Sequence, residues 1–174
     1  GASMLRTHYG QPSEAYLATR FAVLRQPLGM QPGSEQLHDD HQALHVWIEM
    51  DGSIVSVGRA HLIPAGSDGS GADHAGPNAP LIPPFGPLAQ GLIQRPVFQI
   101  RQMGTRAEHQ RNGYAARVLN ELERAMFEEF HAKTGFLQAR EHAIPFYLSQ
   151  GWTIIDEPYE IANIGPHRSM MKVI

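Results

Sequence analysis

The chain has 174 residues, 42% hydrophobic and 18% charged, with a formal net charge of −3 and no cysteine. One domain with a real core fits that length, and the slight negative charge supplies no global field toward nucleic acid or anionic lipid. The missing cysteine excludes a disulfide scaffold, thiolate metal sites and a cysteine nucleophile. No apolar run approaches the ~18 residues of a bilayer span, and no charged start followed by an apolar stretch suggests a secretion signal. The expectation is a cytoplasmic globular protein, free of membrane. Gly1-Ala2-Ser3 ahead of Met4 reads as an expression remnant, which leaves 4–174 as a single domain.

Residues 4–9 suit a first strand. Ser13 then offers a helix cap, and Tyr16, Leu17, Phe21, Val23 and Leu24 predict a helix that ends before Pro27 and Gly29. Residues 31–42 are polar and read as loop. Residues 43–50 and 54–63 flank Asp51-Gly52, a strong hairpin signal. Residues 64–96 hold a Gly-Ser run and then Pro77, Pro80, Pro83, Pro84 and Pro87, so neither helix nor strand is expected. We read 65–96 as a Gly/Pro-rich insertion, either a mobile excursion or a lid. Residues 97–103 form a strand and 106–113 a polar turn. Ala115, Val118, Leu119, Leu122, Ala125, Met126 and Phe130 recur at helical spacing opposite Arg117, Glu121, Arg124 and Glu128. This predicts an amphipathic helix on a sheet, with Gly135 as its stop. A short strand (136–139), a helix (142–150) stopped by Gly151, and strands at 152–155 and 170–174 close a mixed α/β layer.

Gln110-Arg111-Asn112-Gly113-Tyr114-Ala115 lies between a strand and the start of the long helix. The first amides of a helix lack partners and sit at its positive end. Gly113 and the small Ala115 let a ligand approach the backbone, which makes a cradle for a pyrophosphate. The pattern Gln110-x-x-Gly113-x-Ala115 resembles the acetyl-CoA motif of the GNAT superfamily of N-acetyltransferases. Ala143-Ile144-Pro145-Phe146-Tyr147 followed by Gly151-Trp152 resembles its second motif. Val23-Leu24-Arg25-Gln26-Pro27-Leu28-Gly29 and Pro166-His167-Arg168-Ser169-Met170 are similar to features of its small ElaA-like branch. Four motifs in order span nearly the whole chain outside the insertion. Ala115 stands where many members have Gly, and Arg140 where many have Asn.

The resemblance implies a mixed α+β fold with a mostly antiparallel twisted sheet, splayed between its fourth and fifth strands. It implies acetyl-CoA as acyl donor, no metal, and an amine acceptor. The backbone of Met103, Gly104 and Thr105 would hold the pantetheine arm, and one amide there would face the thioester oxygen. Gln110, Arg111, Asn112, Gly113, Tyr114, Ala115 and Ala116 would hold the pyrophosphate. Arg140 and Phe146 complete the cofactor-binding candidates, although Phe146 and Trp152 also read as core. Tyr147 stands at the general-acid position, where a phenol can protonate the leaving thiolate. Glu49, His45 and His167 are candidates for the base.

His38, His41 and His45 have metal-like spacing but no regular helix to aim them together. Residues 66–71 lack a phosphate-loop pattern, and no Gly-x-Ser-x-Gly elbow occurs. The resemblance implies an acceptor pocket built from residues 13–29, 30–45 and 64–96, and Asp39, Asp40 and Glu49 would attract a cationic amine. A catalytically silent CoA-binding sensor and a metal-binding histidine module are the alternatives. A homodimer is compatible with the family.

Overall fold

The computed structural model describes all 174 residues. β1 (Ser3–Tyr9) pairs antiparallel with β2 (Leu44–Met50), and β2 with β3 (Ser53–Leu62). Asp51 and Gly52 turn that hairpin with φ of 51° and 79°, the positive values that a two-residue primed turn requires. Between β1 and β2 comes α1 (Glu14–Leu24). It is capped as expected: Ser13 Oγ accepts the Tyr16 amide at 3.2 Å.

The segment 64–96 departs from expectation. It contains β4 (Gly71–Ala72) paired with β5 (Leu81–Ile82), then α2 (Gly86–Ala89). Its breakers do limit each element to a few residues, but the segment is packed down by fully buried Phe85, which stacks on Phe136 with ring centroids 4.9 Å apart. β6 (Val97–Thr105) follows, antiparallel to β3. The register shifts between Val57↔Gly104 and Arg59↔Arg101, and Gln102 in that bulge has φ 60°.

α3 (Tyr114–Glu128) carries the predicted amphipathic pattern. β7 (Thr134–Arg140) begins earlier than expected and contains Gly135, which is therefore not the helix stop. A Cβ there would lie 2.3 Å from Cζ of Phe98, so glycine is required by close approach of a buried ring. The predicted helix 142–150 is a 3-10 turn (Glu141–Ala143) leading into α4 (Ile144–Ser149), with Pro145 in its first turn. β8 (Thr153–Ile154), an unforeseen β9 (Tyr159–Ile161) and β10 (Gly165–Val173) complete the chain.

The main sheet has the order β1-β2-β3-β6-β7-β10-β8, with β9 on β10. Only β6 and β7 are parallel, joined through α3; every other pair is antiparallel. The alternation of strands sends side chains to two faces. Phe98, Ile100, Leu137, Ala139 and Met170 join Val118, Leu122 and Met126 of α3 in the main core, together with Tyr147 of α4. Val97 and Phe136 point the other way and pack with Ile63, Phe85 and Leu88 of the 64–96 segment.

Candidate active site

β6 and β7 pair only at Val97↔Thr134, Phe98↔Gly135 and Gln99↔Phe136. Beyond Gln99, β6 keeps β3 on one side and β7 keeps β10 on the other, but they no longer bond to each other. These are the fourth and fifth strands of the main sheet in chain order, so the splay lies where the fold class expects it. A cavity of about 230 Å³ fills the gap. Met103, Gly104, Thr105, Gln110, Arg140 and Tyr147 all line it. A second hollow of about 310 Å³ shares Val23, Thr105 and Gln110 and continues past Arg106 toward the start of α3.

At that start the helix is uncapped. Gly113 holds the N-cap position with φ 78° and ψ 8°, and no side chain caps it. The amides of residues 111–116 have no backbone acceptor, while that of Arg117 donates to Gly113. Asn112 spends its side-chain amide on the carbonyls of His109 and Gln110, acceptors rather than donors, so the turn's N–H groups stay open. Arg111, with φ 64°, is exposed beside Asn112 and Gly113. An open row of amides at a helix start suits a phosphate. Tyr114 is turned inward, with its hydroxyl 2.8 Å from Met50 Sδ, so it meets a ligand only through its backbone. Ala115 and Ala116 are half-buried in the first turn. Phe146 lies outside the cavity and packs on the main core and on Tyr147, at a centroid distance of 5.2 Å.

Tyr147 reaches the cavity from α4. Burial pushes its phenol well above the ordinary value, and nearby Arg140 offsets this only in part. The group therefore carries its proton throughout the physiological range. His167 approaches from the opposite face of the sheet. On β10 it stands directly across from Arg140 of β7, and it lines the same cavity. Its Nδ1 is 2.8 Å from the Gly165 carbonyl, which can only accept, so Nδ1 carries the proton and Nε2 keeps its lone pair. Burial lowers its pKa despite that bond.

The other base candidates are placed elsewhere. Glu49 lies on β2, accepts the Trp47 indole N–H at 3.0 Å and pairs with Arg6 at 3.6 Å. His45 is fully buried: its Nε2 is 2.9 Å from the Asp40 carbonyl, and its Nδ1 faces Arg20. Asp39 and Asp40 do not offer charge to a substrate either. Asp40 is 3.0 Å from Arg20 and 2.9 Å from Arg59, and Asp39 is 2.8 Å from Arg59. No group of three His, Asp or Glu side chains is placed to hold a metal ion, so His38, His41 and His45 do not converge. Three lining residues carry charge that the sequence reading did not assign: Arg25, Arg101 and Asp73. Arg25 sits in a motif already singled out. Nothing local marks Asp73, which reaches the cavity from the 64–96 segment.

A sheet opened at its single parallel pair, with an uncapped helix beyond the opening, defines the GNAT class of fold. The chain belongs to the acetyltransferase (GNAT) family, whose sequence model matches residues 6–152. Among solved structures it is similar to Escherichia coli ElaA, at 17% identity and a TM-score of 0.67, covering 98% of this chain and 99% of that one. A putative N-acetyltransferase from Lactobacillus plantarum matches at 17% identity and TM-score 0.65, covering 99% of both chains. An aminoglycoside 6'-N-acetyltransferase complexed with coenzyme A matches at 12% identity and TM-score 0.64, covering 98% of this chain and 96% of that one. No curated protein sequence matches the chain. No helix is long and apolar enough to cross a membrane.

Proposed function

We propose that the protein is an N-acetyltransferase of the ElaA-like branch, moving an acetyl group from acetyl-CoA to a primary amine by direct attack. The observation that carries this reading is the gap between β6 and β7, which opens beside Tyr147 and continues toward the uncapped start of α3. The amides of residues 111–116 would hold the diphosphate, with Gln110 and Arg111 beside it. The unpaired edge of β6 at Met103, Gly104 and Thr105 would take the pantetheine amides as a missing strand would. The donor supplies an acetyl thioester, and the chain's own groups do the rest. An alkylamine of pKa ~10 attacks only after losing a proton, and neutral His167 offers Nε2 to receive it. An amide on the β6 edge faces the carbonyl oxygen as negative charge develops. Tyr147 gives its proton to the departing sulfur. His167 passes the first amine proton to water, and the second, lost from nitrogen as the tetrahedral intermediate collapses, replaces the proton that Tyr147 gave to sulfur, so each turnover releases one proton and restores both side chains. Tyr147, still protonated and free of any hydrogen bond within the chain, favours an active enzyme over a silent sensor.

Calorimetry with acetyl-CoA, followed by CoA-release rates over a panel of amines, tests the proposal. Saturable binding and acceptor-stimulated release are expected. Absence of binding would remove the reading, and binding with no stimulated release by any amine would turn it into the sensor.

A further inference from the structure

Inside the cavity the charge is one-sided. Arg25, Arg101 and Arg140 line it, and Asp73 is the sole carboxylate among the lining residues. Asp73 is shared: Oδ2 lies 2.9 Å from Arg25 Nη2, and Oδ1 lies 3.9 Å from Arg101 Nη2. Arg140 has no acidic partner and donates to the Leu24 carbonyl at 3.0 Å. Neighbouring Arg59 holds Asp39 and Asp40, the latter shared with Arg20, so Asp39 acts on Arg101 only from a distance. Burial, followed by repulsion from Arg59, lowers the Arg101 pKa to about 10. Burial, followed by repulsion from Arg25, lowers that of Arg140. Donors are also left over. Arg25 Nε and Nη2 and Gln138 Nε2 are buried without a hydrogen-bond partner, Arg25 Nη2 being near Asp73 but misaligned for one, against a single unpartnered acceptor in the lining, Gln102 Oε1. A buried cluster with more guanidinium than carboxylate and with unused donors is short of one anion.

The pantetheine arm and thioester carry no charge, and the α3 turn takes the phosphates of CoA in the reading above. The anion therefore belongs to the other substrate. We infer that the acceptor is an amine bearing its own carboxylate, with free amino acids as the chemical class, held through that carboxylate by Arg25, Arg101 and Arg140. This rests on the acyl-transfer reading. It also places the acceptor on the face opposite α3, where Arg101, Arg140 and His167 project, so that its amine meets His167.

The test compares initial rates of CoA release for free amino acids, their carboxamides and polyamines. The acids are expected to exceed the matching amides in kcat/KM by about 10- to 100-fold, the worth of one charge-assisted hydrogen bond. Arg101→Gln should raise the KM of the acids by a similar factor and leave the KM of the amides and the Kd of acetyl-CoA unchanged. Arg25→Gln repeats the test if the first variant fails to fold, and the wild-type comparison needs no variant. Amides or polyamines turned over as well as the acids would overturn the inference while leaving acyl transfer standing. So would a fall in kcat shared by acids and amides, because the guanidinium would then serve the reaction oxyanion. Protein that binds acetyl-CoA yet turns over no acid overturns it as well. Protein that does not bind acetyl-CoA overturns the acyl-transfer reading beneath it.

Discussion

At Tyr147, one residue both packs and faces the cavity. Its ring meets Trp152 at 6.3 Å in the main core while the residue lines the gap. Tyr147→Phe should keep the packing, lower kcat by roughly 10²–10⁴, the usual size of an acid–base contribution, and leave acetyl-CoA binding intact by calorimetry. An unchanged kcat would remove Tyr147 from the mechanism. His167 has a distinct signature. Deprotonation of the amine makes log kcat/KM rise by one per pH unit toward ~10. A histidine base adds a second unit of slope on the acid side, and burial places that break below the ordinary ~6.5. His167→Gln should abolish the break; a break that persists assigns the base elsewhere. The place of Gly113 at a helix start was legible from the strand-to-helix turn around it, whereas that of Tyr147 beside the cavity followed only from the family resemblance. The fate of Asp39 and Asp40 was not legible, because their partners, Arg20 and Arg59, come from elements distant in sequence.

At the scale of elements, the apex of the gap depends on Gly135. Phe98 is fully buried and cannot swing aside. Gly135→Ala should destabilise the fold by about 1–3 kcal/mol, as overpacking does, measured by denaturant unfolding; a neutral result would mean that β7 shifts freely past β6. The long helix α3 was readable because its apolar stripe is strictly periodic and its polar face opposes it. Gly135 was misread for the same reason that makes it informative. A glycine after a helix resembles a stop, and only the neighbouring strand reveals the approach that requires it. The 64–96 segment was read only as an excursion or a lid because its order comes from burial of Phe85, Leu88 and Ile82 rather than from any periodic run. β9 is three residues long and owes its existence to pairing with β10.

At the scale of the whole molecule, the face opposite α3 stores a pH dependence. His45 and His61 are held neutral by burial, with pKa values lowered to about 4 and about 3. In the unfolded chain both titrate near ~6.5. Between those values the unfolded state takes up protons that the folded state refuses, so stability is full above ~6.5 and declines as pH falls. The limiting slope is about 1.4 kcal/mol per pH unit for each histidine. The depressed pKa values of Asp39 and Asp40 add a loss in the same direction only below the ordinary carboxylate range. Melting temperature should therefore drop steadily from pH 7 to pH ~4.5; a flat profile there would show that these histidines are not held as described.

The three residue pairs that join β6 to β7 are the ladder at the seam between two plates of the sheet. α1 rests on β3 and β6 and α4 on β7, while α3 packs beneath both plates and is bonded to β10 through Glu123 and Lys172. A molecule lodged in the seam bonds to both plates at once. Its grip is then a clasp across the weakest line of the architecture, so substrate binding and the mutual alignment of the two plates become a single equilibrium.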